Sequence, residues 1–431
     1  MIFAMEGIKN TMVLLNGPMG CKFYHSTTSG HLMKRPDLKL SAGRAAEKGH
    51  VEYDVLNNYF FRQPRVPSTY LDGYDYVYGT SEKVEAALNY FRDNFSFDLM
   101  VVAASPGASL IGDELTELAR RALPDIPTVV LESPGYSEYF SDGYDRALDQ
   151  LIRQLRPHFG PKKPGRGKPR VNLLGLSVWQ RYWEGDKEEL TRLLELLGAE
   201  VNACPCAGSS LEEVLSLPDA DLNLLIYPEM GRETAARLEE YFGTPCYVFP
   251  GPPVGFAATE KALREIGELL GLDPAAALED SERARAECWF ALNKLDEMSY
   301  LSTLRSFAVE GMDSTVYSYV SFLTDYLGMT PECVSLTGSP DAGMREALGK
   351  VLRKCRAEGA LTKDILDSRA ELVYADANTI SALCTRHDAF SGIEISLPGM
   401  GYTDIVKKTH LGVRGALFLT EQTVNGLMSK I

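Results

Sequence analysis

The chain has 431 residues, and because a domain usually holds about 100–200 residues, this length predicts about two to four domains. Hydrophobic residues make up 45% of it and charged residues 24%, as in ordinary soluble globular proteins. The formal net charge of −15 excludes a general nucleic-acid binder, because the chain has no basic excess to replace counterions on phosphates.

The first residues do not form an export signal. They have no cationic start, and Glu6, Lys9 and Asn10 interrupt their apolar run. No stretch approaches about 18 uninterrupted apolar residues, so we expect no membrane-spanning helix. The eight cysteines are then expected to be reduced thiols in the cytoplasm rather than a disulfide scaffold.

Apolar strands alternate with amphipathic helices along residues 1–165, the first predicted domain. We predict strands at residues 11–15, 99–103 and 128–131, and helices at residues 82–92, 114–123 and 144–155. Asp113 is the expected N-cap of the helix at 114–123. The three prolines and three glycines of residues 160–169 predict a linker, because this segment can hold neither a helix nor a central strand.

The alternation restarts twice after the linker. It gives a middle domain at residues 170–272 and a third domain, with a helical lead-in, at residues 273–431. In the middle domain we predict strands at 171–176, 200–203, 222–227 and 246–249, and helices at 187–197, 211–215, 233–242 and 259–270. In the third domain we predict strands at 304–309, 332–336, 371–375 and 393–397, and helices at 275–295, 315–327, 341–358 and 378–385.

The predicted fold class is α/β, with three Rossmann-like, doubly wound parallel-sheet domains around a central pocket. Short, continuous apolar strands separated by helices are typical of parallel sheets that are covered on both faces. Ligands of such sheets lie outside the carboxyl ends of the strands. Cys204, Cys206 and Tyr227, which come at or after strand ends, are therefore expected to line the pocket.

A cysteine lies in the loop that follows the first predicted strand. The loop reads Gly17-Pro18-Met19-Gly20-Cys21. Its small residues would let a bulky inorganic sulfide approach the backbone, and thiolates suit iron. The alternative is a buried thiol in a tight turn, and the local pattern alone favours that alternative because one cysteine is a weak signal.

The other candidate ligands favour structural roles. Cys204 and Cys206 form a C-x-C pair, but no second pair lies at the spacing of a zinc site. His25 and His31 follow Cys21 closely enough to support a metal ligand. Five cysteines in apolar segments are interpreted as core thiols: Cys246, Cys288, Cys333, Cys355 and Cys384. The remaining histidines are expected at the surface: His50, His158, His387 and His410.

The standard nucleotide-binding loops do not occur in the sequence. It contains neither a G-x-x-x-x-G-K-[ST] loop nor a G-x-G-x-x-G loop after a strand. We therefore expect neither ATP nor NAD to bind through such a loop, and electrons and energy must come from a partner.

Several segments, in order, resemble nitrogenase component 1 and its relatives. Residues 14–21 resemble the glycine–proline–glycine–cysteine loop of that family. The other resembling segments are residues 67–83, 105–114, 221–224, 241–245 and 397–401. The resemblance covers essentially the whole chain. It implies three Rossmann-like domains around a central pocket, an iron–sulfur cluster at the interface of paired subunits, and a separate ATP-hydrolysing iron protein as the electron donor.

The chain departs from the dinitrogenase subunits of this family at their metal ligands. Those subunits have three cluster cysteines each, and only Cys21 has an equivalent here, with Ser105 in the place of the third. Tyr227 occupies the place of the thiolate that anchors the iron–molybdenum cofactor, and His410 lies too early to match its other ligand. The resemblance thus implies a reductase that does not fix N2 and lacks that cofactor.

The resemblance implies that Cys21 binds a 4Fe–4S cluster, with Gly17 and Gly20 making room for it. A homodimer, or a heterodimer or heterotetramer with a related subunit, would complete the ligands, with His25 or Ser105 as a further ligand. The expected function is that of a reductase subunit that passes electrons from the iron protein to a substrate in the pocket. The alternatives are a non-catalytic scaffold for metal-cofactor assembly and a metal- or tetrapyrrole-binding protein without redox activity. No catalytic residue can be assigned.

Overall fold

Three parallel β-sheets form the framework of the protein. The computed structural model describes residues 1–22, 66–132, 138–163, 167–297, 305–386, 390–396, 404 and 406–428. The chain divides into two compact units. The first consists of Met1–Pro161 and Pro205–Pro218, and the second of Lys162–Cys204 and Asp219–Ile431.

The first unit contains one sheet. Its strands are β1 (Thr11–Asn16), β2 (Leu99–Ala104) and β3 (Thr128–Leu131), which lie in that order and are all parallel. Every residue of β1 and β2 is buried, which explains why both strands are apolar almost throughout. The helices around the sheet are α1 (Ile2–Met5), α2 (Asp75–Tyr78), α3 (Ser81–Asn94), α4 (Pro106–Ser109), α5 (Leu115–Ala122) and α6 (Phe140–Gln154).

The second unit contains two sheets, both parallel. The second sheet has the order β5-β4-β6-β7, where β4 is Arg170–Leu174, β5 is Glu200–Ala203, β6 is Leu222–Leu225 and β7 is Cys246–Val248. The third sheet has the order β11-β10-β8-β9, where β8 is Ser306–Gly311, β9 is Thr330–Leu336, β10 is Leu372–Ala375 and β11 is Ser391–Glu394.

The helices of the second unit cover both of its sheets. They are α7 (Trp183–Leu197), α9 (Arg232–Phe242), α10 (Phe256–Leu270), α11 (Ala275–Glu297), α12 (Asp313–Asp325), α13 (Ala342–Lys354), α14 (Ala377–Cys384) and α15 (Gly412–Met428). The short helix α8 (Leu211–Leu215) comes between β5 and β6 in the chain but belongs to the first unit.

The predicted fold class is confirmed, because the chain is α/β with three parallel sheets. Most predicted elements are present with slightly different bounds; β6, for example, ends at Leu225, so that Tyr227 follows the strand. The described residues of the expected linker, 160–163 and 167–169, form neither helix nor strand. The three domain boundaries stay a prediction. In the described part of the chain, no helix is long and apolar enough to cross a membrane.

Asp113 caps a different helix from the one predicted. α5 begins at Leu115, and Glu114 precedes it without a side-chain capping bond. The carboxylate of Asp113 instead accepts hydrogen bonds from Thr80 N (2.6 Å), Thr80 Oγ1 (2.7 Å) and Ser81 Oγ (3.0 Å) at the start of α3. Burial alone would raise the pKa of Asp113, but these bonds outweigh it and lower the pKa. The prediction was wrong because donors brought close by the fold outcompete the local helix.

The carboxyl-terminal helix α15 lies beyond the last helix predicted from the sequence, and a buried carboxylate holds its start. Glu189 Oε1 on α7 accepts hydrogen bonds from Val413 N and Arg414 N, both at 3.1 Å. The same side chain pairs with Arg192 through two contacts of 2.8 Å. Glu189 is 1% exposed, so its charge is balanced by these donors rather than by water.

A second buried carboxylate of α7 holds the segment just before α15. Asp186 Oδ1 accepts hydrogen bonds from Thr409 Oγ1 at 2.7 Å and from His410 N at 3.1 Å. The backbones also approach closely here, since a Cβ on Gly185 would lie 1.9 Å from Lys408 O. Only glycine at position 185 allows α7 and this segment to pack together.

We expect Glu189→Ala to destabilise the second unit by about 3–5 kcal/mol, because it removes one member of a buried ion pair and leaves helix N–H groups without an acceptor. Urea unfolding followed by tryptophan fluorescence measures this, since all three tryptophans, Trp179, Trp183 and Trp289, lie in that unit. Glu188→Ala is the matched control: Glu188 and its partner Lys407 are 56% and 53% exposed, so its effect is expected to stay within about 0.5 kcal/mol. Equal effects of the two substitutions would contradict the role of Glu189.

Candidate functional site

Cys21 lies in a short turn at the carboxyl edge of the first sheet. β1 ends at Asn16, and a 3₁₀ turn over Met19–Lys22 follows Gly17 and Pro18. Cys21 N donates a hydrogen bond to Pro18 O at 3.1 Å, which closes the turn. The side chain of Cys21 is exposed, so it is not the buried thiol that the local pattern favours. Partial desolvation raises the pKa of the thiol.

Three side chains from the neighbouring segments hold the cysteine loop in place. Thr69 Oγ1 donates to Asn16 Oδ1 at 2.9 Å and accepts from Gly17 N at 3.1 Å. Ser68 Oγ donates to Gly17 O at 2.9 Å. Asn16 Nδ2 donates to Thr80 Oγ1 at 2.9 Å. The family resemblance includes these residues, but their role in positioning the loop becomes evident only in the structure.

Ser105 packs against the cysteine loop and caps α4. Its side chain is 4% exposed, and its Oγ accepts a hydrogen bond from Ala108 N at 3.3 Å. Ser105 N donates to Asn16 O at 2.8 Å. A Cβ on Gly17 would lie 2.9 Å from Ser105 Cβ and 3.0 Å from Ser105 Oγ. Gly17 is therefore required for this close approach, while the predicted role of Ser105 as a cluster ligand stays a prediction.

Gly20 is a glycine for a different reason. It is exposed, and a Cβ at this position would meet no heavy atom within 4 Å. Its φ angle lies outside the left-handed region, so the backbone does not demand glycine. The loop is thus uncovered on the side of Gly20, next to Cys21 in the chain, and can admit a bulky group there.

Tyr227 lies at the carboxyl edge of the second sheet, two residues after β6. It is 8% exposed, and its backbone packs so closely on Gly175 that a Cβ there would lie 2.8 Å from Tyr227 O. Burial raises the pKa of Tyr227 well above 10, and the negative charges of Asp186 and Glu229 raise it further. Tyr227 therefore keeps its proton, and its predicted role in cofactor binding stays a prediction.

His410 is buried, so the expected surface position was wrong. Its ring is 4% exposed, with Nδ1 2.7 Å from Tyr319 Oη and Nε2 2.6 Å from Gln422 Oε1. An amide oxygen needs a donor, which assigns the proton to Nε2 and leaves Nδ1 to accept from Tyr319. Burial lowers the pKa of His410 to about 4. Nothing in the local sequence indicates this position, because the partners lie on α12 and on the unpredicted α15.

The remaining predicted residues differ in their exposure. Cys204, Cys206, Cys288 and Cys333 are buried, and His158 is exposed. The core prediction was wrong for three thiols, because Cys246 begins an edge strand and Cys355 and Cys384 lie at helix ends; the first two are half-buried and the third is exposed. The positions of His25, His31, His50 and His387 lie outside the described residues. Among the residues that are described, no three His, Cys, Asp or Glu side chains come together as metal ligands.

Comparison with known proteins gives a match along almost the whole chain. The family model described as nitrogenase component 1 type oxidoreductase matches residues 1–428. The B subunit of light-independent protochlorophyllide reductase from Synechococcus sp. (strain WH7803) is 30% identical over 365 residues, which cover 82% of this chain and 67% of the relative. Its counterpart from Parasynechococcus marenigrum (strain WH8102) is 30% identical over 366 residues, with 82% and 68% covered.

A solved structure shows the same fold. Nitrogenase Cp1 at pH 6.5 superposes with a TM-score of 0.76 at 16% sequence identity, over 100% of this chain and 91% of that chain. At this identity, the likeness concerns the fold alone.

The two loop glycines are expected to respond differently to alanine. Gly17→Ala forces the new methyl group into Ser105, and overpacking of this kind costs about 1–3 kcal/mol, so we expect a lower thermal midpoint. Gly20→Ala meets open space and is expected to leave the midpoint unchanged. Thermal unfolding of the first unit, followed by circular dichroism, tests this pair. A Gly20→Ala midpoint as low as that of Gly17→Ala would show that the loop is packed differently.

Proposed function

The chain belongs to the nitrogenase component 1 type oxidoreductase family, and from this we propose that it is a reductase subunit that binds a 4Fe–4S cluster through Cys21. It would pass electrons from an ATP-hydrolysing iron protein to a bound substrate. The observation that carries the proposal is the exposed thiol of Cys21 in a glycine loop at the carboxyl edge of β1, the edge at which parallel α/β sheets bind ligands.

The residues of the loop fit a cluster ligand. Thiolates are the usual protein ligands of iron–sulfur clusters, and Cys21 presents its sulfur to the outside. Binding to iron would remove the thiol proton despite the raised pKa, because a metal deprotonates a coordinating thiol. When bound, the cluster supplies single electrons. The contribution of the chain is to fix the loop through Ser68, Thr69 and Thr80.

We propose that the cluster is shared with a second subunit. A cluster of four irons uses about four protein ligands, and the loop has one cysteine. Exposed apolar side chains close to the loop support an interface: Tyr74 is 67% exposed, Val77 and Tyr78 are each 72% exposed, and Leu110 is 67% exposed. Contiguous exposed apolar surface of this kind marks interaction sites, and aromatic residues are enriched at interfaces. The partner would be a second copy of this chain or a related subunit.

The net charge supports the second partner. At −15 the chain would attract an iron protein that presents basic groups, and such attraction speeds association in a salt-dependent way. The names of the relatives indicate the substrate class. Since they are subunits of a protochlorophyllide reductase, we propose that the substrate is a cyclic tetrapyrrole with a reducible ring double bond.

We expect Cys21→Ala to lose most of the iron and sulfide of anaerobically purified protein, because it removes the thiolate ligand that this chain supplies. Cys384→Ala is the control, since Cys384 is also exposed but lies at the end of α14 in the second unit. Iron and sulfide analysis, with the visible absorbance of the cluster, measures the effect. Equal iron and sulfide in Cys21→Ala and in the control would refute the cluster assignment.

We expect the double substitution Tyr74→Ser with Tyr78→Ser to weaken assembly at least tenfold, because exposed aromatic residues of this kind contribute much of the energy of an interface. Sedimentation velocity of the anaerobic, iron-loaded protein measures the change in oligomeric state. Leu269→Ser is the control, since Leu269 is 59% exposed on α10 of the second unit. A wild-type protein that sediments as a monomer with its full iron content would rule out the shared cluster.

A further inference from the structure

The carboxyl edge of the second sheet contains a buried hydrogen-bond donor at a position typical of ligand sites. β4 lies between β5 and β6, so the chain adds its next strand on one side of β4 and the later strands on the other. The gap between the carboxyl ends of β4 and β6 is therefore the switch point of the sheet, where parallel α/β sheets bind ligands. The loop of residues 175–182, which follows β4, begins at this point.

Gln180 is the donor, and its orientation is set by its own loop. Ser177 N donates to Gln180 Oε1 at 3.1 Å, and Gln180 N donates to Ser177 O at 3.0 Å. Only the amide oxygen can accept from an N–H group, so Nε2 must be directed elsewhere. Gln180 is 8% exposed, and within the described ranges of the chain Nε2 has no hydrogen-bond partner. A buried donor of this kind requires an explanation, and a bound acceptor provides one.

The charges beside Gln180 indicate what kind of acceptor fits. The next residue, Arg181, pairs with Asp404 at 2.8 and 3.3 Å and lies 3.6 Å from Glu394. Lys408 also pairs with Asp404, at 3.2 Å. Two cations and two carboxylates balance one another here, so an anionic ligand would find no uncommitted positive charge among these four groups. A neutral oxygen fits the amide N–H without upsetting this balance.

The aromatic groups next to this loop are neutral. Tyr182 Oη accepts a hydrogen bond from Gln422 Nε2 at 3.3 Å, and Gln422 in turn accepts from His410. Burial raises the pKa of Tyr182 to about 12, so its phenol keeps its proton at neutral pH. The edge thus provides a buried environment without net charge, in which a single hydrogen bond can discriminate strongly between ligands.

We propose that Gln180 Nε2 donates a hydrogen bond to a neutral carbonyl oxygen of a ligand at this switch point and selects ligands by that carbonyl. The inference rests on the proposed function and narrows its substrate to a cyclic tetrapyrrole with a ring ketone. Gln180 would bind and orient the substrate, and no electron or proton passes through it.

Two probes that differ only in the ketone test the inference. Pyropheophorbide a has one ring ketone, and in its 13¹-deoxo analogue that C=O is a CH₂ group. Absorbance titration of the anaerobically isolated, complete protein gives the affinity for each probe. We expect wild type to prefer the ketone about tenfold, since a tenfold ratio is the usual size of one good hydrogen bond. In Gln180→Met and Gln180→Glu, neither of which offers this donor when the glutamate is ionised, the preference is expected to fall to about one.

Gln422→Leu is the matched control, because Gln422 belongs to the same edge but its amide is paired at both ends. It is expected to retain the preference for the ketone, whereas its loss there would indicate a general disturbance of the edge and overturn the assignment to Gln180. Equal affinities of the wild type for the two probes would also overturn the inference, and this comparison needs no variant to fold. If neither probe binds, the tetrapyrrole ligand is wrong, while the iron content of Cys21→Ala still tests the reductase separately.

Discussion

The pairing of two buried carboxylates on α7 with backbone N–H groups of the carboxyl-terminal segment is the constraint on which the second unit depends. Glu189 accepts from the start of α15, and Asp186 accepts from the residues just before it. A buried carboxylate is unstable without donors, and a helix start is unstable without acceptors. The helix dipole also favours the charge of Glu189. Since α15 packs on both α7 and the strands β10 and β11, these bonds join the second sheet to the third.

The same unit brings the carboxyl edges of its two sheets into contact. Glu229, in the loop after β6, accepts hydrogen bonds from Ser314 N at 2.8 Å and Ser314 Oγ at 2.6 Å, at the start of α12. Arg181, after β4, reaches Glu394 at the end of β11. Ligand positions at the edges of the two sheets are therefore not independent. A change in the loop after one sheet alters the side chains that face the other.

Strands were easier to predict from this sequence than its last helix or its polar contacts. A strand buried on both faces must be apolar throughout, and this pattern is local. In α15, by contrast, glycines lower the helical propensity, and they are present because of packing: a Cβ on Gly415 would lie 2.3 Å from His410 C. Cys21 could be identified as a candidate ligand because its loop resembles a family motif. The unpaired amide of Gln180 could not, because it depends on contacts made after folding.

The neighbouring Asp186 and His410 have a consequence for the proton balance of folding. Burial raises the pKa of Asp186 to about 7 and lowers that of His410 to about 4. Between pH about 4 and 6.5, the folded chain thus holds a proton on Asp186 that the unfolded chain releases, and the unfolded chain holds one on histidine that the folded chain lacks. Acidification strengthens the fold through the first group and weakens it through the second. The two linkages nearly cancel, so this contact between α7 and the carboxyl-terminal segment buffers the stability of the unit against mild acid without any change in its hydrogen bonds.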